Sequence, residues 1–244
     1  MALRYKYKQP LILFLCAFVS LWFIGSSCKN HNHPDKKIFH YNESSGLASL
    51  DPAFAKNKQV MWSTHQLYNT LIEIDSNMQM QPSLATHWNI SEDNLVFTFI
   101  LRNDVFFTDD ACFTNGKGRK LTAHDVEYSF KRIIDKSTAS PGAWIFNNRV
   151  DSVNGFTAIN DTTFQLKLIS PFQSILGILS MQYCSIIPKE AVEKYKTDFR
   201  RHPVGTGPFS FVAWEEGQAL ILKKNENYFE KDAEGRSLPY LDGI

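Results

Sequence analysis

The chain has 244 residues, of which 43% are hydrophobic and 14% aromatic, so it has enough apolar material for a sizeable core. Its 26 basic and 25 acidic side chains give a net charge of +1. No long basic stripe follows the first ten residues, so nothing in the charge pattern indicates a nucleic-acid-binding protein. The composition excludes a low-complexity chain and fits one large domain or two small ones.

The first 28 residues have the order that is typical of a secretory signal. Three basic residues within 1–8 precede an apolar run over 11–25, which is shorter than the roughly 20 residues of a membrane span. Small residues then lead to Cys28, as in the lipobox of bacterial lipoproteins, although Gly25 stands where that motif usually has Leu. The sequence predicts a signal peptide over 1–28 and membrane anchoring through lipid on Cys28. An ordinary secretory signal is the alternative.

Residues 29–37 are polar and are predicted to form a flexible tether. His31 and His33 lie in this segment without an adjacent third ligand, so a solvated linker is favoured over a metal site. A short strand is predicted over Ile38 to Tyr41, followed by a small polar loop at 42–46. A helix is then predicted over about 58–73 from its apolar spacing.

Leu95 to Arg102 is the clearest strand, because apolar residues alternate along it with period two. Thr122 is predicted to begin a helix, with Asp125 in its first turn. Further elements follow in the second half of the chain. They are a strand around 164–168, helices near 172–181 and 188–197, a turn at 205–209 and a strand around 220–222. The sum is a mixed α+β chain.

Two cysteines remain once Cys16 and Cys28 are assigned to the signal and the lipid. Cys112 and Cys184 either form a disulfide or stay as free thiols, because sequence alone does not show whether their β-carbons meet. The chain has no Cys-x-x-Cys pair, so a structural zinc site has no support.

Enzyme motifs are absent from the sequence. It contains no Gly-x-Ser-x-Gly and no His-Glu-x-x-His, and Gly205-Thr206-Gly207 leads into a predicted strand instead of opening a helix. We therefore expect a protein that is not an enzyme and needs no cofactor or metal.

Several motifs occur in a fixed order and cover nearly everything after residue 38. They are Leu50-Asp51-Pro52-Ala53, Phe99-x-Leu101-Arg102, Leu121-Thr122-Ala123, Tyr128-Ser129-Phe130, Pro203-Val204-Gly205-Thr206-Gly207-Pro208-Phe209 and Pro239-Tyr240-Leu241-Asp242-Gly243-Ile244. Together they resemble the family-5 periplasmic solute-binding proteins, which bind peptides, nickel chelates, haem or related solutes for ABC transporters. One departure is Asp110, where the family usually has Gly. An extra loop from Ala111 to Lys120 follows, and it either brings Cys112 near the cleft or has no part in binding.

The resemblance implies the first lobe of a two-lobed fold like the type II periplasmic binding proteins, which closes over its solute like a hinged clamp. Residues 38–68 and 171–244 would form the base of this lobe, and 69–170 a small appended subdomain. The second lobe is expected after Ile244, because relatives are considerably longer. A single lobe cannot enclose most of a solute's surface, so this chain is expected to bind peptide weakly or not at all unless the rest is supplied.

The same resemblance implies the partners and the location. The implied partners are a peptide ligand, an ABC permease with its ATPase, and the membrane. The implied location is the cell envelope, with the protein anchored to the membrane and facing the periplasm. A non-peptide solute, such as a nickel chelate or haem, is one alternative. A lipid-anchored surface interaction protein is another.

Five residues are carried over as candidate ligand contacts. The loop after Leu-Asp-Pro lines the cleft in peptide-binding members, and it corresponds to Lys56, Asn57 and Lys58. An aromatic residue usually follows a Thr-Ala-Ser-Pro run, but Gly142 stands there in this chain and Trp144 comes two residues later. The aromatic that closes the Gly-x-Gly turn corresponds to Phe209. A surface loop or core packing is the alternative for each.

Overall fold

The computed structural model describes residues 36–151 and 153–244. The predicted signal peptide, Cys28, His31, His33 and all but the last two tether residues lie outside this range. Within it, the chain from Lys37 onward forms one compact unit. None of the described helices has both the length and the apolar character needed to cross a membrane.

The first helix, α1 (Lys58–Leu67), follows a 3-10 turn at Pro52–Phe54. It ends six residues before the predicted boundary near 73. Tyr68 adopts an extended conformation, and the Leu71 carbonyl accepts a hydrogen bond from the Ala85 N–H at 2.9 Å. Residues beyond the helix instead enter a two-stranded hairpin of β1 (Ile72–Ile74) and β2 (Met80–Pro82). The prediction was wrong there because backbone pairing with a later segment overrides a helical apolar pattern.

A four-stranded antiparallel sheet has the strand order β3-β4-β6-β5. Its strands are β3 (Ala85–Ile90), β4 (Val96–Leu101), β5 (Phe156–Asn160) and β6 (Thr163–Lys167). The predicted alternation along β4 is confirmed, because Phe97, Phe99 and Leu101 are buried while the residues between them are only half-buried. Phe99 pairs in register with Phe164 of β6, so the buried faces of neighbouring strands meet in one core.

Helix α2 (Ala123–Ile134) covers this sheet. Its start matches the prediction: the Asp125 carboxylate accepts hydrogen bonds from the Thr122 N–H at 2.9 Å and the Thr122 hydroxyl at 3.1 Å. Phe130 is fully buried, with its ring centroid 5.5 Å from that of Phe164 and 5.8 Å from that of Phe156. These edge-to-face contacts join the helix to the core of the sheet.

Helix α2 is also tied to the loop before α1 by a buried ion pair. The Arg132 guanidinium donates to both carboxylate oxygens of Asp51, at 2.9 and 2.6 Å. Their side chains are only 13% and 5% exposed. Asp51 also accepts from the Ala53 N–H at 3.0 Å, which confirms its predicted place in a turn. The long-range partner Arg132 was not predicted.

The second half of the chain has shorter helices than predicted. Helix α3 (Ile175–Leu179) replaces the expected 172–181, and α4 (Lys189–Tyr195) replaces 188–197. Lys196 ends α4 in a left-handed conformation, and a 3-10 turn at Lys196–Arg201 follows. The turn at 205–209 leads into a strand as predicted, giving the hairpin of β7 (Phe209–Glu215) and β8 (Ala219–Lys224).

The two ends of the described chain meet beside β8. Ile38 forms a parallel bridge with Gly243, and the Leu222 N–H donates to the Ile244 carbonyl at 3.0 Å. The predicted strand from Ile38 to Tyr41 is therefore reduced to one bridge.

Candidate functional site

The loop between Asp51 and α1 presents the first group of predicted contacts. Lys56 and Lys58 are exposed, and neither forms an ion pair within the described part of the chain. Asn57 has a structural role, because its side-chain oxygen accepts from the Val60 N–H at 3.0 Å and caps α1. The two lysines remain free to meet a solute, while the Asn57 oxygen is already engaged.

The Thr138–Pro141 segment lies directly against this loop. The Ser140 hydroxyl donates to the Ala53 carbonyl at 2.6 Å and accepts from the Gly142 N–H at 3.0 Å. A Cβ added to Gly142 would lie 2.5 Å from Cδ1 of Tyr183. The aromatic that is expected after Thr-Ala-Ser-Pro therefore has no room here, because the Tyr183 ring already fills the space.

Trp144 is 46% exposed and lines a cavity of about 530 Å³ together with Arg149 and Phe172. Arg149 Nη1 donates to the Trp144 carbonyl at 2.6 Å, and its guanidinium lies 4.7 Å from the centroid of the Phe172 ring. These contacts fix the cavity wall and leave the indole ring partly open. Trp144 is thus placed where a solute can reach it.

Phe209 is only 4% exposed and belongs to the core. The turn before it packs tightly on the end of α1: the Gly207 N–H donates to the Leu67 carbonyl at 3.0 Å, and a Cβ on Gly207 would lie 2.4 Å from the carbonyl carbon of Leu67. The structure therefore places the Thr138–Pro141 segment against the loop that carries Lys56–Lys58, but none of residues 56–58 lines the Trp144 cavity, and Phe209 lies in the interior. Stacking of Phe209 on a solute stays a prediction of the resemblance.

A second cavity, of about 570 Å³, was missed by the sequence reasoning. It lies between residues 40–47, which include the predicted polar loop at 42–46, one face of α1 and the β7–β8 hairpin. Its volume is within the range of about 300–1,000 Å³ that is usual for small-molecule sites. The Tyr41 and Trp62 rings stack on its wall with centroids 4.6 Å apart and an interplanar angle of 24°. We call it the Tyr41–Trp62 cavity.

Glu43 supplies a carboxylate to the Tyr41–Trp62 cavity. It accepts from the Ser45 N–H at 3.2 Å and from the Tyr41 hydroxyl at 3.3 Å. The hydrogen bond from the Ser45 backbone is the main cause that lowers the pKa of Glu43, so this carboxylate stays ionised at neutral pH. The small polar loop was noted in the sequence, but only the fold shows that it faces α1.

The two cysteines and the extra loop from Ala111 to Lys120 are held by contacts within the fold. Cys112 and Cys184 are both free thiols, and burial raises the pKa of Cys112 to about 12 and that of Cys184 further above its usual range. The loop is fastened by Arg119, whose guanidinium donates to Asp125 at 2.8 and 2.6 Å and to Glu190 at 2.6 and 2.7 Å. In the described residues, no group of three His, Cys, Asp or Glu side chains is arranged to hold a metal.

Residues 79–244 match the family model for bacterial extracellular solute-binding proteins, family 5 (middle region). The chain belongs to this family. Among its curated relatives is the glutathione-binding protein GsiB of Salmonella typhimurium, which is 26% identical over 200 residues. That alignment covers 82% of this chain and 36% of GsiB, so the chain spans about a third of that relative's length.

Solved structures share the fold. The periplasmic binding protein DppA of Helicobacter pylori, in complex with the peptide STSA, superposes with a TM-score of 0.68 at 32% identity. The match covers 80% of this chain and 39% of DppA. NikZ of Campylobacter jejuni, in complex with Ni(L-His), gives a TM-score of 0.64 at 26% identity over 80% of this chain and 36% of NikZ. MoaA of A. tumefaciens R10, in complex with mannopinic acid, gives a TM-score of 0.69 at 29% identity, and the match covers 82% of this chain and 38% of MoaA. The expected mixed α+β fold is confirmed, as a partial lobe of these larger proteins.

Proposed function

We propose that the chain is part of the substrate-binding component of an ABC importer, and that it captures peptides outside the cytoplasm for delivery to a permease and its ATPase. The observation that carries this proposal is the fold shared with DppA, whose structure contains a bound peptide. The Tyr41–Trp62 cavity and the Trp144 cavity support it, because both are open concave surfaces large enough for peptide side chains.

The proposed arrangement follows the family's two-lobed clamp. Residues 38–68 and 171–244 form the base of one lobe, and 69–170 form the appended subdomain. The four-stranded sheet and α2 both fall within 69–170, and the pairing of Ile38 with Gly243 falls within the base, which supports this division. Both cavities of the described residues are open to solvent, so we expect this chain by itself to bind a peptide weakly.

Attachment to the cell envelope through lipid on Cys28 is a separate part of the proposal. Its support is the order of basic, apolar and small residues before Cys28. Metabolic labelling of expressing cells with a radioactive fatty acid tests it. We expect label on the wild-type chain and none on Cys28→Ala, and label on both variants would contradict attachment at this residue.

A non-peptide solute is the second candidate, favoured by the fold shared with NikZ and MoaA, whose structures contain a nickel complex and mannopinic acid. Identifying the solute that copurifies with the protein from its source separates the candidates. Mass spectrometry of the denatured protein's supernatant is expected to show peptides. A stoichiometric metal, or a haem absorbance band, would contradict the peptide proposal.

A further inference from the structure

The charged side chains that line the Tyr41–Trp62 cavity are acidic, and the other titratable groups on its wall are the imidazole of His40 and the Tyr41 hydroxyl. Glu43 and Glu215 line it, and the described residues that form its wall include no Lys or Arg. Neither carboxylate forms an ion pair within the described chain. Lys58 is close enough to act on the charge of Glu43 but does not reach ion-pair distance. Two carboxylates on this wall are therefore left without a direct counter-charge.

Nearby arginines do not neutralise them. Arg200 and Arg201 both pair with Glu216, and their guanidinium carbons lie 5.8 and 5.3 Å from the centroid of the Trp214 ring. The positive charges of Arg200 and Arg201 therefore interact with the Glu216 carboxylate and with the face of the Trp214 ring. Glu216 is not among the cavity's lining residues, whereas Trp214 is. The negative charge of Glu43 and Glu215 thus remains available to a solute.

The aromatic wall favours the same chemistry. Tyr41 is 40% exposed, its ring stacks on Trp62, and both residues line the cavity, so aromatic surface is accessible at the cavity wall. A cation that lies over such a face is attracted by the ring quadrupole, and a guanidinium also stacks on it. Carboxylates beside an aromatic pair form a site suited to a planar or compact cation, and they repel an anion of the same size.

We propose that the Tyr41–Trp62 cavity selects peptides that carry a cationic side chain, a guanidinium or an ammonium, over neutral and anionic peptides. This inference rests on the proposed function and names the substrate class of the same protein. The lowered pKa of Glu43 supports it, because the carboxylate stays charged throughout the neutral range.

Three tripeptides of equal length test the selection: Ala-Arg-Ala, Ala-Ala-Ala and Ala-Glu-Ala. Each is titrated against the full chain in a mild non-ionic detergent, and binding is followed by calorimetry at low and moderate salt. We expect the arginine peptide to bind most tightly and the glutamate peptide least. The double variant Glu43→Gln/Glu215→Gln should bind the arginine peptide with a dissociation constant about five- to tenfold higher than that of the wild-type chain. The preference should also shrink as salt is raised.

The matched control is Glu92→Gln/Glu226→Gln, which removes two exposed carboxylates that do not line the cavity. It should leave the order of the three peptides unchanged. Equal binding of the three peptides, or an arginine preference that survives in Glu43→Gln/Glu215→Gln, would overturn the charge selection and leave peptide capture standing. The titrations reach millimolar peptide, where weak binding is still detected, and absence of binding by all three at that concentration would overturn both.

Discussion

The buried ion pair between Asp51 and Arg132 is expected to be a main support of the contact between the loop before α1 and helix α2. We consider the substitution Asp51→Ala. It removes both carboxylate oxygens that Arg132 contacts, at 2.9 and 2.6 Å, and leaves a guanidinium whose side chain is only 13% exposed without a counter-charge. It also removes the acceptor of the Ala53 N–H.

The magnitude follows from these contacts. Breaking a buried pair by removing one partner costs about 3–5 kcal/mol, because the remaining charge is left uncompensated. Against a total stability of about 5–15 kcal/mol, such a loss removes at least about a fifth of the stability and, at the lower end of that range, nearly all of it. The control is Asp104→Ala, which breaks the pair with Arg102 whose side chains are 31% and 51% exposed. An exposed pair of this kind contributes about 0–1 kcal/mol.

Urea-induced unfolding, followed by tryptophan fluorescence, measures both free energies. Two further variants keep the test decisive if Asp51→Ala does not fold. Asp51→Asn retains an acceptor for the Ala53 N–H and should be less destabilised than Asp51→Ala. The double variant Asp51→Ala/Arg132→Met should recover part of the loss, because no unpaired charge remains. Equal losses for Asp51→Ala and Asp104→Ala would refute the reasoning.

Three further predictions concern packing, pH and thiol chemistry. Gly207→Ala should destabilise the chain by about 1–3 kcal/mol in urea unfolding, since its Cβ would meet the Leu67 backbone at 2.4 Å, whereas Gly46→Ala, with nothing within 4 Å, should cost little. Burial and the charge of Glu73 raise the pKa of Glu230, so its contribution to stability is present below its unfolded pKa and is lost as the pH rises through the folded value. Glu230→Gln should therefore gain stability relative to wild type as the pH rises above the ordinary pKa of a glutamate, measured by urea unfolding across a pH series, and a pH-independent difference would contradict this. Cys112 has its pKa raised to about 12, so in the native protein at pH 8 it should be alkylated about a hundredfold more slowly than an exposed free thiol. In urea it should react at the ordinary rate, with both rates read by peptide mass mapping. Fast alkylation of the native protein would show that the thiol is not protected.

Elements whose signal is local were predictable from the sequence. The alternation along β4 placed Phe97, Phe99 and Leu101 on the buried face, and the start of α2 followed from Thr122 and Asp125. Both depend on neighbouring residues, where side-chain period and capping chemistry act directly. The family, too, followed from short motifs in a fixed order.

Features that depend on distant segments were not predictable. The end of α1 is set by pairing with residues 83–85, and the partner of Asp51 lies on α2. Tyr183 fills the space beside Gly142 from another part of the chain, and the stack of Tyr41 on Trp62 joins a loop to a helix face. Spacing in one sequence carries no information on which remote side chains meet, so the Tyr41–Trp62 cavity appeared only with the fold.

The most direct test of the proposed role is uptake of a labelled tripeptide by cells of the source organism with and without the gene for this protein. We predict that deletion abolishes or strongly reduces tripeptide uptake, that the restored gene returns it, and that free amino-acid uptake is unchanged. Unchanged tripeptide uptake in the deletion strain, together with a loss of nickel or haem uptake, would contradict the assignment to peptide capture.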